Sequence, residues 1–488
     1  MNTQEVTTYP AYIGRQEVFS QDTFPAVSAS TGRILAHVSR CNVDQVNAAV
    51  EVASAAQIGW ARTTYEERSR YLNQLADAVE KQAPRLAALD AEDVGRRVSE
   101  ILIDYEIAVA QYRYFAAAVV AHEDFGRPIP DGYLIAKRVP LGVIGQIIPW
   151  NVPAIMVSLK VAPALAAGNA VILKPDENAS LSTLEFAKIA GQIFPPGLVN
   201  VIPGFGEEVG AALTAHPGVA KLAFTGSPEV GRIIGQAGAR RLVPVSLELG
   251  GKSPNIVFPD IEDIDNVVDN ALFAAFYCNG QSCLAGTRLF IHDQIYPQFI
   301  EKLVAAAKRL KVGAPLDPGT QLSCLVNEEQ GEKVLRYIQI GVDEGATLLT
   351  GGARVSVQGH GRGYFIAPTI FEVSNRMRLA QEEIFGPVLS VIRWNDVDDM
   401  VQQANDVPYG LAAGIYSSNL RNALDTADRL HAGNVWINRY FNLSSGSPFG
   451  GMKESGIGRE HCRETLAMYS ELKAVTVQTA VPDAWFAT

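Results

Sequence analysis

The sequence predicts an α/β protein built on parallel sheets, and three observations carry that reading. Short apolar runs alternate with helical segments through two long stretches of the chain, the pattern of strands joined by crossover helices. At 488 residues the chain is too long for one simple core, so two or three cooperating domains are expected. A hydrophobic fraction of 48% with 19% charged residues is that of an ordinary globular protein, so disorder is not expected.

Taken in order, Asn42 to about His122 has helical spacing, seen in Val46-Asn47-Ala48-Ala49-Val50 and in Tyr71, Leu72, Leu75 and Val79. This region is predicted to flank a sheet. Tyr133 to Val139 reads as a strand. The regular alternation then begins with Gly142 to Ile148, Ala170 to Leu173, Leu198 to Ile202 and Lys221 to Phe224. Between two of these runs, Ser182 with Glu185 three residues on predicts a capping box before Phe186, Ile189 and Ile193. From Gly286 a second alternation follows: a strand over Thr287 to His292, a helix through Phe299, Leu303 and Leu310, then strands near Leu348 and over Val388 to Ile392. Leu472 to Val477 is a late strand with no obvious local partner. Tyr133 to Val139 or a neighbouring subunit are its two candidate partners.

Charge and cysteine usage narrow the function. With 41 Lys+Arg against 52 Asp+Glu the net charge is −11, which argues against binding nucleic-acid phosphates or anionic lipid and favours a small-molecule partner. Met1 to Ser30 lacks the basic flank and apolar run of a secretory signal. The apolar region Leu141 to Leu173 is broken by Pro149, Asn151, Lys160 and Asn169, so it is no plain membrane span. Cys41, Cys278, Cys283, Cys324 and Cys462 are scattered and odd in number, without a CxxC pair. Neither a disulfide framework nor a metal site is expected, and a reducing cytoplasm fits best.

The nucleotide signal is distributed. A strict GxGxxG is absent, and Gly204-Phe205-Gly206-Glu207-Glu208-Val209-Gly210 has one residue too many. Phe224-Thr225-Gly226-Ser227-Pro228 is more informative: a strand end, then Ser at an N-cap and Pro at the first helical position, which presents free N–H groups to a phosphate. Alone, it also fits a well-capped helix and nothing more. Lys174 directly follows an apolar strand, where α/β sheets hold nucleotides. Glu177 suits ribose hydroxyls, and Asp176 adds charge that repels a 2′-phosphate, so NAD is favoured over NADP.

The chemical signal lies in Asn279-Gly280-Gln281-Ser282-Cys283 and Glu248-Leu249-Gly250-Gly251-Lys252, a thiol and a carboxylate each set among small residues. A lone cysteine is usually inert core and a strand-end glutamate is usually solvated. Pro149-Trp150-Asn151 adds a side-chain amide suited to an oxyanion, or to a simple turn. In order along the chain, PWN (149–151), KPxE (174–177), FTGS (224–227), ELGGKSP (248–254), GQxC (280–283), EEIFGPV (382–388) and PFGG (448–451) resemble the aldehyde dehydrogenase superfamily over nearly the whole sequence.

That resemblance implies a Rossmann-like parallel-sheet cofactor domain (residues 1–121 and 141–252), a second α/β catalytic domain (253–460) and a small β oligomerisation element (122–140 and 461–488). It implies Cys283 as nucleophile, Glu248 as general base, Asn151 as oxyanion donor, and Lys160 and Glu460 as relays for the proton. Ile147, Pro149, Trp150, Lys174, Glu177, Gly206, Phe224, Ser227, Val230, Leu249, Glu383 and Phe385 are the implied NAD contacts. Val152, Met156 and Leu159 share one helix face by their spacing, and with Tyr277, Ser282, Leu284, Leu443 and Phe449 they line the implied aldehyde tunnel. Several are aliphatic where relatives acting on short aldehydes carry aromatics, so a roomy apolar channel for medium-chain or aromatic aldehydes is expected.

Two departures stand out: Cys278 replaces an Asn of the family pattern, and Asp176 occupies a position where small residues are usual. The expected activity is NAD-dependent oxidation of an aldehyde to the acid by a homodimer or homotetramer. The alternatives are a CoA-acylating semialdehyde dehydrogenase, against which Glu248 speaks, and a non-catalytic relative that kept the fold.

Overall fold

The computed structural model describes residues 6–480 and residue 486. Its first sheet has eight strands in the order Gly456–Ile457, Val245–Glu248, Val219–Thr225, Val143–Ile147, Ala170–Lys174, Val199–Val201, Ala11–Ile13, Gln16–Val18. The five strands from Val245–Glu248 to Val199–Val201 are mutually parallel and both flanks are antiparallel. Numbered along the chain, those five stand in the order 5-4-1-2-3, a doubly wound sheet whose direction of winding reverses between Val143–Ile147 and Val219–Thr225. Crevices at the carboxyl ends of strands flanking such a reversal are where α/β sheets bind ligands. Pro149, Trp150 and Asn151 leave one of those ends, and Gly226 and Ser227 leave the other.

A second sheet of seven strands runs Thr347–Thr350, Thr369–Glu372, Val388–Trp394, Arg288–His292, Pro254–Val257, Ala412–Tyr416, Asn434–Ile437. It is parallel except for its first edge. The predicted alternation is therefore present in both halves. The predicted helical flank consists of Val43–Trp60, Tyr65–Val94 and Val98–Val120. Asn42 and Thr64 start the first two with reciprocal capping boxes to Gln45 and Glu67.

Ser470–Gln478 pairs antiparallel with Gly132–Pro140 of the same chain, from Ser470↔Pro140 to Gln478↔Gly132, so of the two candidate partners of the late strand the one in the same chain is found. Residues 481–485, 487 and 488 of the expected arm lie outside the described residues. The capping box at Ser182 and Glu185 does not form. The helix Leu181–Ile193 starts one residue before Ser182, after Ser180, whose hydroxyl donates to the Asp176 carbonyl at 2.8 Å. Ser182 is thereby drawn into the core beside Asp90, and Glu185 pairs with Arg85 at 2.7 Å.

Among the described residues, no helix is long and apolar enough to cross a membrane.

The helical flank carries one pH-sensitive element. Asp90 is buried on the helix Tyr65–Val94, and burial pushes its carboxyl up to about 7 although the Ser182 and Tyr105 hydroxyls oppose the shift. In the unfolded chain a carboxyl of this kind titrates near ~3.9. The folded form thus keeps a proton that the unfolded form has released, and the stabilisation is complete below about pH 4 and lost as pH rises through about 7. Asp90→Asn is expected to flatten the fall in thermal midpoint between pH 5 and pH 8. Parallel profiles for the two proteins would rule this out.

Candidate active site

Cys283 is displayed by a loop whose shape the sequence makes costly. After the helix Ile264–Phe276, the residues Cys278, Asn279 and Gly280 take φ of 55°, 58° and 71°, three left-handed conformations in a row. For the two non-glycine residues this costs about 1–2 kcal/mol each. Asn279 offsets it: its amide donates to the Cys324 carbonyl at 2.7 Å and its oxygen accepts from the Ser323 N–H at 2.7 Å. Gln281 accepts from the Val326 N–H at 3.1 Å. Gly280 is required sterically, since a Cβ there would lie 2.3 Å from the Gly386 carbonyl oxygen. The Cys278 departure therefore leaves the loop supported through its neighbour Asn279. Of the five cysteines, Cys41, Cys278, Cys324 and Cys462 are buried and Cys283 alone is partly exposed.

Asn151 meets this loop directly. Its side-chain amide donates to the Gln281 carbonyl at 2.9 Å, which fixes the amide beside Cys283 and leaves its second hydrogen uncommitted. Glu248 ends the strand Val245–Glu248, buried, with no partner for either oxygen. Burial first, then the negative charge of Glu460, raises its carboxyl well above the usual range, although Lys160 and Arg459 oppose the shift. Gly450 of the PFGG motif makes room for it, because a Cβ there would stand 2.8 Å from Glu248 Oε1. Lys160 Nζ donates to Glu460 Oε1 in a fully buried ion pair. Burial, with Glu383 and Glu248 adding to it, pushes the Cys283 thiol up to about 12.

A cavity of about 200 Å³ opens onto Cys283 and is also lined by Pro149, Trp150, Asn151, Met156, Thr225, Gly226, Ser227, Leu249, Gly250, Gln330, Lys333, Glu383 and Phe385. Three features fit a dinucleotide here. Ser227 caps the helix Pro228–Arg241, accepting from the Val230 N–H, so that helix start faces the cavity. Thr225 Oγ1 is buried without a partner. The Glu383 carboxylate is held by the Gly251 N–H at 3.0 Å, and a Cβ on Gly250 would lie 2.3 Å from Glu383 Oε2. Trp150 and Phe385 form an edge-to-face wall with centroids 5.4 Å apart.

The remaining expected nucleotide residues stand outside that cavity. Ile147, Phe224 and Val230 lie on the flanking strand ends and helix, and Gly206 opens the short turn Gly206–Gly210. Lys174 is buried with Nζ donating to the Pro175 carbonyl at 3.0 Å and to Glu177 at 3.3 Å. Asp176 differs from expectation: its Oδ1 accepts from the backbone and side chain of Asn178 at 3.0 and 2.9 Å, and burial and Glu177 raise its pKa. Its carboxylate is therefore engaged within the turn instead of standing free to meet a ligand.

On the other side of Cys283, Leu284, Phe449 and Leu443 form one apolar cluster with the thiol. Met156 lines the cavity, Val152 and Leu159 pack into the main core, and Ser282 is half-buried with its hydroxyl accepting from the Leu284 N–H at 3.3 Å. Tyr277 belongs to an aromatic group with Phe273 and Phe441, at centroid distances of 5.2 and 5.1 Å. Sequence reading missed Phe273 and Phe441, which give no motif signal. It also missed Gln330 and Lys333, which sit on the amphipathic helix Glu328–Asp343 and read as a solvated face; Gln330 donates to the Phe385 carbonyl at 2.7 Å and so supports that residue at φ 61°.

The model of the aldehyde dehydrogenase family matches residues 18–475. The chain is 43% identical over 472 residues to the human protein "Aldehyde dehydrogenase, mitochondrial", covering 95% of this chain and 90% of that one. Among solved structures, an NAD+ complex of a Bacillus cereus aldehyde dehydrogenase superposes with a TM-score of 0.94 at 39% identity, covering 97% of both chains. A Pseudomonas syringae indole-3-acetaldehyde dehydrogenase in complex with NAD+ and IAA superposes with a TM-score of 0.94 at 37% identity over 96% of each.

Proposed function

Since the chain belongs to the aldehyde dehydrogenase family, we propose that Cys283 is the nucleophile with which it oxidises an apolar aldehyde to the carboxylic acid. NAD-dependent aldehyde oxidation is the reaction to be explained. The observation that carries the assignment is that the one partly exposed thiol of the chain opens into the cavity holding the Asn151 amide and the two strand-end loops of the doubly wound sheet.

In this reading Cys283 gives up its proton to water in the cavity it opens onto, and the thiolate sulfur adds to the aldehyde carbonyl. The Asn151 amide and the Cys283 backbone N–H take the developing alkoxide, each donor contributing roughly 3–4 kcal/mol. NAD, when bound, supplies the hydride acceptor, and Ser227, Glu383 and Phe385 position it, with Lys174 and Glu177 at its ribose. The thioester left on Cys283 is hydrolysed by a water that Glu248 deprotonates. Glu460 and Lys160 carry the proton away from the buried base. A base that is buried and unpartnered suits hydrolysis, so transfer of the acyl group to CoA is disfavoured.

We further assign 1–121 and 141–252 to nucleotide binding, 253–460 to catalysis, and 122–140 with 461–488 to assembly of a homodimer or homotetramer in the cytoplasm. Edge strands Phe125–Ile129 and Ser470–Gln478 with exposed Phe125 and Leu472, and exposed Tyr133 on the strand between them, support assembly through that sheet. The aliphatic Met156, Leu284 and Leu443 beside Cys283 support an apolar substrate of some size. Steady-state kinetics with acetaldehyde, hexanal and benzaldehyde, each with NAD and NADP, are expected to give kcat/KM for the two larger aldehydes roughly tenfold or more above acetaldehyde, with NAD preferred. A preference for acetaldehyde would overturn the substrate reading.

A further inference from the structure

Resting on the assignment of Asn151 and Cys283 above, we propose that Arg96 is a positioning residue that clamps the loops carrying the oxyanion donor and the nucleophile to one another. Arg96 is wholly buried, and its Nη1 donates both to the Asn151 carbonyl at 3.1 Å and to Asp104. The other Asp104 oxygen accepts from the Tyr277 hydroxyl at 3.0 Å. Glu100, 3.8 Å from Arg96 Nη2, accepts from the Cys278 N–H at 3.2 Å. The guanidinium also lies 5.6 Å from the Tyr277 ring centroid. Arg96 and the first two turns of the helix Val98–Val120 thus hold Asn151 on one side and Tyr277 and Cys278, at the start of the nucleophile loop, on the other.

Fold stability alone is a weak reason for this arrangement. Buried ion pairs are often replaceable by apolar packing at no net cost, and Arg96 leaves Nε and Nη2 without hydrogen-bond partners. What the guanidinium does hold is the backbone of Asn151. Because carbonyl addition depends on where that amide sits, a displacement on the order of 1 Å is worth up to about a hundredfold in rate. Lysine keeps the charge, yet its compact ammonium lacks the planar group that packs against the Tyr277 ring while Nη1 reaches both acceptors.

The test compares wild type with R96K, R96M and D104N. R96K is expected to lower kcat for aldehyde oxidation roughly tenfold or more, with KM for NAD within about twofold and R96M more severely affected. Alkylation of Cys283 by iodoacetamide, which builds no oxyanion, should stay within about twofold of wild type. Should R96M fail to fold, R96K and D104N carry the comparison. An unchanged kcat in R96K, or kcat and alkylation falling together as in a collapsed loop, would overturn the clamp. Turnover surviving in C283A would instead remove the nucleophile assignment, a result that R96K kinetics cannot mimic.

Discussion

Cys283→Ala is expected to lower kcat for aldehyde oxidation by roughly 10⁴- to 10⁶-fold while leaving the dissociation constant for NAD within about twofold of wild type, measured by fluorescence or calorimetric titration. The size follows from the chemistry. Without sulfur no thiohemiacetal forms, and the Asn151 amide has no alkoxide to stabilise, so two contributions are lost together. Binding survives because the cavity groups that fit the nucleotide, Ser227, Thr225, Glu383 and the Trp150–Phe385 wall, do not pass through the thiol. The nearest rival sulfur cannot substitute. Cys278 is buried beside Arg96 and Glu100, and burial raises its thiol pKa well above the ordinary range. Residual turnover above about 1% of wild type would therefore exclude covalent catalysis at Cys283, since removing such a nucleophile costs far more than that.

How far the sequence reaches is clearest residue by residue. Strand alternation was legible because buried parallel strands are continuous apolar runs, and Ala170–Lys174 and Val388–Trp394 are read off directly. Motifs far apart in the chain, Pro149 to Asn151, Thr225 to Ser227, Cys283, and Glu383 with Phe385, converge on one cavity. What escaped has a physical reason in each case. Ser182 has the right residue three positions later for a cap, but burial against Asp90 drew it into the core. Asp176 spends its oxygen on Asn178 in a turn that composition alone does not distinguish from an exposed charge. Arg96 and Asp104 look like ordinary helix-surface charges, and only the packing of Val98–Val120 against the active-site loops buries them.

Glu248→Gln separates the second half of the reaction from the first. Glutamine keeps the shape and the fit above Gly450 but accepts no proton, so attack by water on the thioester loses its base, a loss of about 10²- to 10⁴-fold. Thiohemiacetal formation and hydride transfer do not need that group, and a burst of NADH close to one per active site should precede a slow steady state. Intact mass after the burst should show the acyl group on Cys283. The pH dependence gives an independent sign. Glu248 works as a base only when deprotonated, and burial and Glu460 hold its pKa well above the carboxylate range. Wild-type kcat should therefore climb with pH through that raised pKa wherever deacylation limits turnover, and the Glu248→Gln protein should lose this limb. Addition of CoA should leave the stalled adduct in place, because nothing in the proposed mechanism presents a thiol acceptor to it. An Glu248→Gln enzyme that turned over normally, with neither burst nor adduct, would move the base to another residue and leave the buried, unpartnered carboxylate at the end of Val245–Glu248 without a role.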